Sequence, residues 1–445
     1  MEPYHNSRLP YARNFLTVGL FFLMAALLFG LLAAMQYNVP GWGRDVFSFE
    51  KLRPLHVSSA VFWILMAAMG AVLTYISEGE NTARKPAWIK GQFYLFTFSF
   101  VAILLSYCFG IFSGREYWEF HPYFSIPIVI GWIVFLLNFF HYFKTLKHQP
   151  VYIWMWMTGV VFFLFTYLES NLWLLPGVRH RLVQDMTIQW KSYGSMVGAW
   201  NMLIYGSSIF LMDKIAGNQT YSRSPMAFAL YALSLFNLMF NWGHHIYTLP
   251  TAPYVKYIAY FVSMTELFIL GRIIYGWSQT LSTARKYAHI YSYKFLFAAD
   301  AWVFANLGLA IVMSVPAFNI YMHGTHVIVG HTMGTTIGIN TMLLLAFAYN
   351  ILGNDSRYQL STTRFSVAYN ITQISLASFW IALIVAGFLK SYWQMMEPTI
   401  AYGELWNRMR PLFYIFYVAG LGLAVGLLYL VVPLLRSGFS KASSK

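Results

Sequence analysis

His323–Met333 reads HGTHVIVGHTM and opens a long apolar stretch, placing His331 and Met333 two positions apart at a depth that should be lipid. On an α-helix two steps turn about 200°, so these two ligand-type side chains face opposite ways from one backbone. A single helix with that pattern can serve two axial sites at once.

The surrounding chain supplies the membrane. Its 445 residues are 58% hydrophobic and 20% aromatic but only 10% charged, against about a quarter charged in soluble domains. Stretches long enough to span recur throughout: 15–35, 56–76, 93–109, 124–143, 151–168, 190–212, 226–246, 254–277, 295–315, 327–349, 365–389 and 412–432. They predict an all-α integral membrane protein of twelve transmembrane helices. Loops are short and no linker divides the chain, so residues 1–445 form one domain. The longer connections, 36–55, 169–189 and 391–411, are rich in Trp, Tyr and Pro and suit an interfacial cap or a docking surface. The first apolar run exceeds a signal-peptide core and no small-residue cleavage site follows it, so it is expected to stay as a helix.

A formal charge of +14 could suggest nucleic acid, but the basic residues are scattered through short loops and set topology instead. With the N-terminus inside, Arg84, Lys85, Lys144, Lys147, Lys214, Arg285, Lys286 and Lys441 share that side, and fewer, including Arg44, Arg53, Arg115 and Arg179, lie opposite. Both termini are therefore expected in the cytoplasm, and no nucleic-acid partner is implied. Cys108 is the sole cysteine, which excludes an intrachain disulfide, an iron–sulfur cluster and a covalent haem site of C-x-x-C-H type. Any haem must be held by coordination and packing.

Ionisable groups inside spans are costly and mark function by default. His56 opens the second span; alone it could simply hydrogen-bond to a neighbouring helix, but paired with a ligand on another helix it becomes a haem ligand. His331 sits among Gly330, Gly334 and Gly338, where a flat macrocycle could approach the backbone. Met333 would give a haem a thioether ligand and a higher potential than two histidines would. The adjacent His244 and His245 diverge by about 100° on a helix and fit a non-haem metal, iron or copper, better than structural burial. Glu266, near mid-span, suits a proton relay or a metal. Asp300 can pair with Arg272 or a hydroxyl and stays outside the site.

Together, LRPLH ending at His56, GREYWE from Gly114 to Glu119, GHH ending at His245, Glu266 in SMTEL, and HGT followed by His331 resemble the haem-copper oxidase superfamily, and most of all the large, cytochrome b subunit of nitric oxide reductase. The resemblance covers nearly the whole chain and implies a twelve-helix bundle like subunit I of the oxidases, in a bacterial cytoplasmic membrane. It implies a low-spin haem b on His56, a high-spin haem b on His331, and non-haem iron (or copper) on His244 and His245 with Glu266 beside it. Glu116 and Glu119, with Arg115, match a loop that helps hold calcium. Electrons would come from a c-type cytochrome subunit or another membrane donor, and the substrate would be a small gas, NO or alternatively O2.

Three departures set this chain apart. Met333 stands where the family has a second low-spin-haem histidine, so His/Met ligation is implied. On span six, Trp190, Tyr193 and Val197 occupy the register in which the family carries Trp, a metal-binding His and a Glu, anchored by Gly198 and Trp200. Tyr193 either restores a third protein ligand as a phenolate, or hydrogen-bonds to a haem substituent beside a degraded metal site. The readings are thus a divergent nitric oxide reductase, an altered oxygen-reducing relative, or a non-catalytic haem protein serving as electron conduit or sensor.

Overall fold

The computed structural model describes residues 10–78, 86–265, 275–276, 278–279, 281–353 and 355–440. Long helices follow one another in chain order: α1 (Pro10–Asn38), α2 (Phe49–Glu78), α3 (Pro86–Cys108), α4 (Ser125–Tyr142), α5 (Val151–Ser170), α6 (Leu182–Ala216), α7 (Pro225–Phe240), α8 (Pro253–Thr265), α9 (Ile290–Ser314), α10 (His326–Leu352), α11 (Thr362–Met396) and α12 (Tyr402–Phe439). Among the described residues eleven helices are long and apolar enough to cross a membrane. The twelfth expected span, 254–277, begins as α8 and continues outside the described residues.

The described residues on either side of it are placed by hydrogen bonds. The Tyr247 hydroxyl, just after α7, donates to Lys256 O of α8 at 3.4 Å and to Ser314 O at the end of α9 at 3.1 Å. Arg285 Nη1, just before α9, donates to Ile215 O at the far end of α6 at 3.2 Å. Loops 39–48, 109–124, 171–181, 247–252, 315–325 and 397–401 share one face, here the distal face, and the N-terminal end of α1 lies at the other.

Most helices are apolar all round, as expected where one side packs on protein and the other meets acyl chains. α2 is the central one, buried along nearly its whole length against α1, α3 and α6. Two of the long connections expected from sequence are shorter than predicted: α6 starts at Leu182 and α12 at Tyr402, so much of 169–189 and 391–411 is helix end.

α10 is composite. His326–Met333 is α-helical, Gly334–Thr341 is a π-helix, and Met342–Leu352 returns to α. The Thr325 side chain caps its start by accepting from Val327 N. In the wide turn the Thr341 hydroxyl bonds back five residues to Thr336 O at 2.8 Å, and accepts from Trp63 Nε1 of α2 at 3.1 Å. π-segments cluster at functional sites, and this one follows directly on His331 and Met333.

Candidate metal centre

His56 lies about two turns into α2 from the distal face. Its Nδ1–H donates to Ala26 O of α1 at 2.7 Å. A carbonyl only accepts, so the proton sits on Nδ1 and Nε2 keeps its lone pair, as an axial ligand must. Gly30, one turn further along α1, makes room for the ring: a Cβ there would lie 2.7 Å from Nδ1.

Across the bundle, His331 and Met333 both keep part of their surface accessible, and Met333 packs along the apolar core. The His331 Nδ1 is buried without a hydrogen-bond partner. The glycines around it do different work from that expected. A Cβ would lie 3.1 Å from Ile384 at Gly330, 2.2 Å from Asn306 Oδ1 at Gly334 and 2.6 Å from the Trp302 ring at Gly338. They admit the side chains of α9 and α11 rather than a flat macrocycle. Asn306 fastens the junction: its Nδ2 donates to Thr335 Oγ1 at 2.8 Å, its Oδ1 accepts from Trp380 Nε1 at 3.2 Å, and Thr335 Oγ1 donates to His331 O at 3.2 Å.

The paired histidines are not on an α-helix. After Phe240 the chain tightens into a 3₁₀ turn, Asn241–Ile246, whose threefold period brings positions three apart into line. Hence His244 Nδ1–H donates to Asn241 Oδ1 at 2.9 Å, and Ser263 Oγ–H of α8 donates to the same oxygen. That oxygen fixes the tautomer and leaves His244 Nε2 free. The two imidazoles lie 4.2 Å apart between centroids, and His245 stacks on Trp190 of α6 at 5.2 Å and 14°. His331 and His323 are close enough to both rings to act on them electrostatically. His244 and His245 are thus neighbouring rings, with His331 within electrostatic range of both. Asn241 and Ser263 were missed from sequence, because their signal exists only if the helix turns 3₁₀ at Phe240.

Other expected members sit elsewhere. The Tyr193 ring meets Tyr117 edge-on at 5.4 Å and lines a water-sized pocket with Arg115, Trp118, Asn171 and Trp173. The aromatic against the histidine pair is Trp190. Glu266 and Arg272 lie outside the described residues. Asp300 is buried with Oδ1 unpartnered. Among the described residues no three His, Cys, Asp or Glu side chains gather as a metal-holding group, so the described carboxylates and histidines give the His244–His245 pair no third ligand.

On the distal face, the loop through Gly114–Glu119 turns tightly at Tyr117, whose φ is +69°. Arg53, one turn before His56, forks across it: Nη2 meets Glu116 at 2.7 Å and Nη1 meets Glu119 at 3.0 Å. Arg115 turns away to Asp185 at 2.6 Å and Gln189 at 3.1 Å, so it contributes no contact to the two glutamates. Burial pushes the Glu119 carboxyl up, against the pull of Arg53, and its Oε2 is buried and unpartnered. A hard cation fits such an oxygen.

The described residues thus form an all-helical, multi-pass bundle with several imidazoles near one face. Residues 11–422 match the family described as Cytochrome C and Quinol oxidase polypeptide I, and the chain belongs to it. A nitric oxide reductase subunit of Stutzerimonas stutzeri is 21% identical over 94% of this chain and 92% of its own length. Cytochrome c oxidase subunit 1 of Rhodobacter capsulatus is 23% identical over 94% and 81%. The fold matches that of a heme-copper terminal oxidase dimer solved by cryo-EM, with TM-score 0.76, 14% identity, and coverage of 98% of this chain and 85% of that one. The family implies haems and a copper or non-haem metal centre.

Proposed function

We propose that this chain is the catalytic subunit of a divergent nitric oxide reductase, joining two NO molecules with two electrons and two protons to give N2O and water. The observation that carries this reading is the His244–His245 turn, with His244 Nε2 freed by Asn241 and His331 within electrostatic range of both rings. In this reading His56 and Met333 hold a low-spin haem b, His331 holds a high-spin haem b, and His244 and His245 hold the non-haem metal. When bound, these groups supply the electrons and the Lewis acidity for N–N coupling. Asn241 and Trp190 orient the two imidazoles, and the apolar walls exclude water. Glu266 is proposed to deliver protons. Tyr193 is assigned to the distal loop rather than to the metal. Glu116 and Glu119 would hold calcium, Arg53 offsetting one of their two charges. Electrons would enter from a c-type cytochrome or another membrane donor, with both termini in the cytoplasm of a bacterium.

Oxygen reduction is the second reading, favoured by relatives named as cytochrome c oxidase subunits. A tyrosine at the metal pair would support it, and Tyr193 faces the loop instead. Gas analysis of purified protein under a reduced electron donor separates the two. Labelled NO converted to labelled N2O, with slower O2 uptake, supports the first; O2 consumed faster than NO overturns it.

A further inference from the structure

His326 opens α10, and its Nδ1 is buried without a hydrogen-bond partner. It stands seven residues before Met333, so the two share a helix face about 10 Å apart along the axis. α1 repeats this spacing in the opposite direction. Gly30 admits the His56 ring, and Tyr37, seven residues on, meets the His326 ring at 6.1 Å, with Phe413 on another side at 5.1 Å. The space between α1 and α10 therefore has two levels, His56 with Met333 deeper in the membrane and Tyr37 with His326 nearer the distal face. Lys390 also belongs to the upper level: its Nζ donates to Gly324 O at 3.0 Å, and its charge acts on His326.

Resting on the low-spin haem reading above, the geometry points to His326 as a positioning residue that hydrogen-bonds the carboxylate edge of the porphyrin held by His56 and Met333. A carboxylate avoids the membrane centre, so that edge must point to the distal face, where an unsatisfied imidazole nitrogen and a lysine wait. His326 lies about 140° around the helix from His331 and so serves the Met333 side alone.

The test is haem capture by excess apomyoglobin, followed at the low-spin band in detergent. His326→Leu loses that haem about tenfold faster, the worth of one charge-assisted hydrogen bond. His326→Gln, which keeps a donor, stays near the parent rate. Refilling with haem dimethyl ester, whose carboxylates are blocked, makes parent and His326→Leu alike. Equal loss rates for natural haem in parent and His326→Leu, or a difference that persists with the ester, overturns the assignment. Absence of any low-spin haem in the parent overturns the ligand reading itself.

Discussion

Met333 carries the sharpest single-residue claim. A thioether opposite an imidazole gives ferric haem a methionine-to-iron charge-transfer absorption, which two histidines cannot produce. Oxidised protein is expected to show that band, and Met333→His to abolish it while keeping the haem low-spin; a parent without it contradicts the ligation. Asn241 is the counterpart at the histidine pair. It holds His244 through one hydrogen bond, and loss of such an orienting partner costs about 10–100-fold in metal affinity. Asn241→Leu should therefore weaken non-haem metal binding by that range in a competitive chelator titration, whereas Tyr193→Phe should leave it unchanged. The residues proposed for the chemistry were legible in the sequence because a buried imidazole or carboxylate has few other uses. Their orienting partners were not, since Asn241, Ser263 and Asn306 are ordinary polar residues until the fold brings them to a histidine.

Among the elements, α10 departs most from its sequence reading. Apolar periodicity gives a helix from His326 onward, but nothing in GTTIGINT distinguishes a π-turn from an α-turn, because the choice is made by neighbours: Asn306 and Trp302 press against Gly334 and Gly338, and Trp63 bonds Thr341. Gly334→Ala should cost about 1–3 kcal/mol by overpacking, seen as a lower unfolding midpoint, and should also disturb the His331 haem spectrum. The 3₁₀ turn at Asn241–Ile246 was hidden for the same reason. Opposite the site, the α10–α11 connection holds Asp355 against Arg357 at 2.7 Å, and these hydrogen bonds pull the carboxyl down to about 2. A depressed acid stabilises above its ordinary value of 3.8 and loses that contribution as pH falls towards about 2. Asp355→Asn should remove this acid-dependent part of stability, a small one because the pair is exposed, and leave the distal site untouched; chemical unfolding between those pH values checks it.

For the whole molecule, the span map and all-helical bundle could be read from hydropathy, because a segment that must satisfy its backbone in lipid has almost no alternative to a helix. Hydrogen bonds between helix ends, such as Arg285 with Ile215, then showed which described ends share a face. What hydropathy could not give is whether a scaffold lacking the histidine and glutamate of span six still holds its third metal. The proposal is that it does, on His244 and His245. Metal analysis of the purified protein is the direct test. Two haems and one non-haem metal per chain, the latter lost in His244→Ala and His245→Ala with the haems retained, is the predicted result. Two haems and no third metal in the parent protein would contradict it.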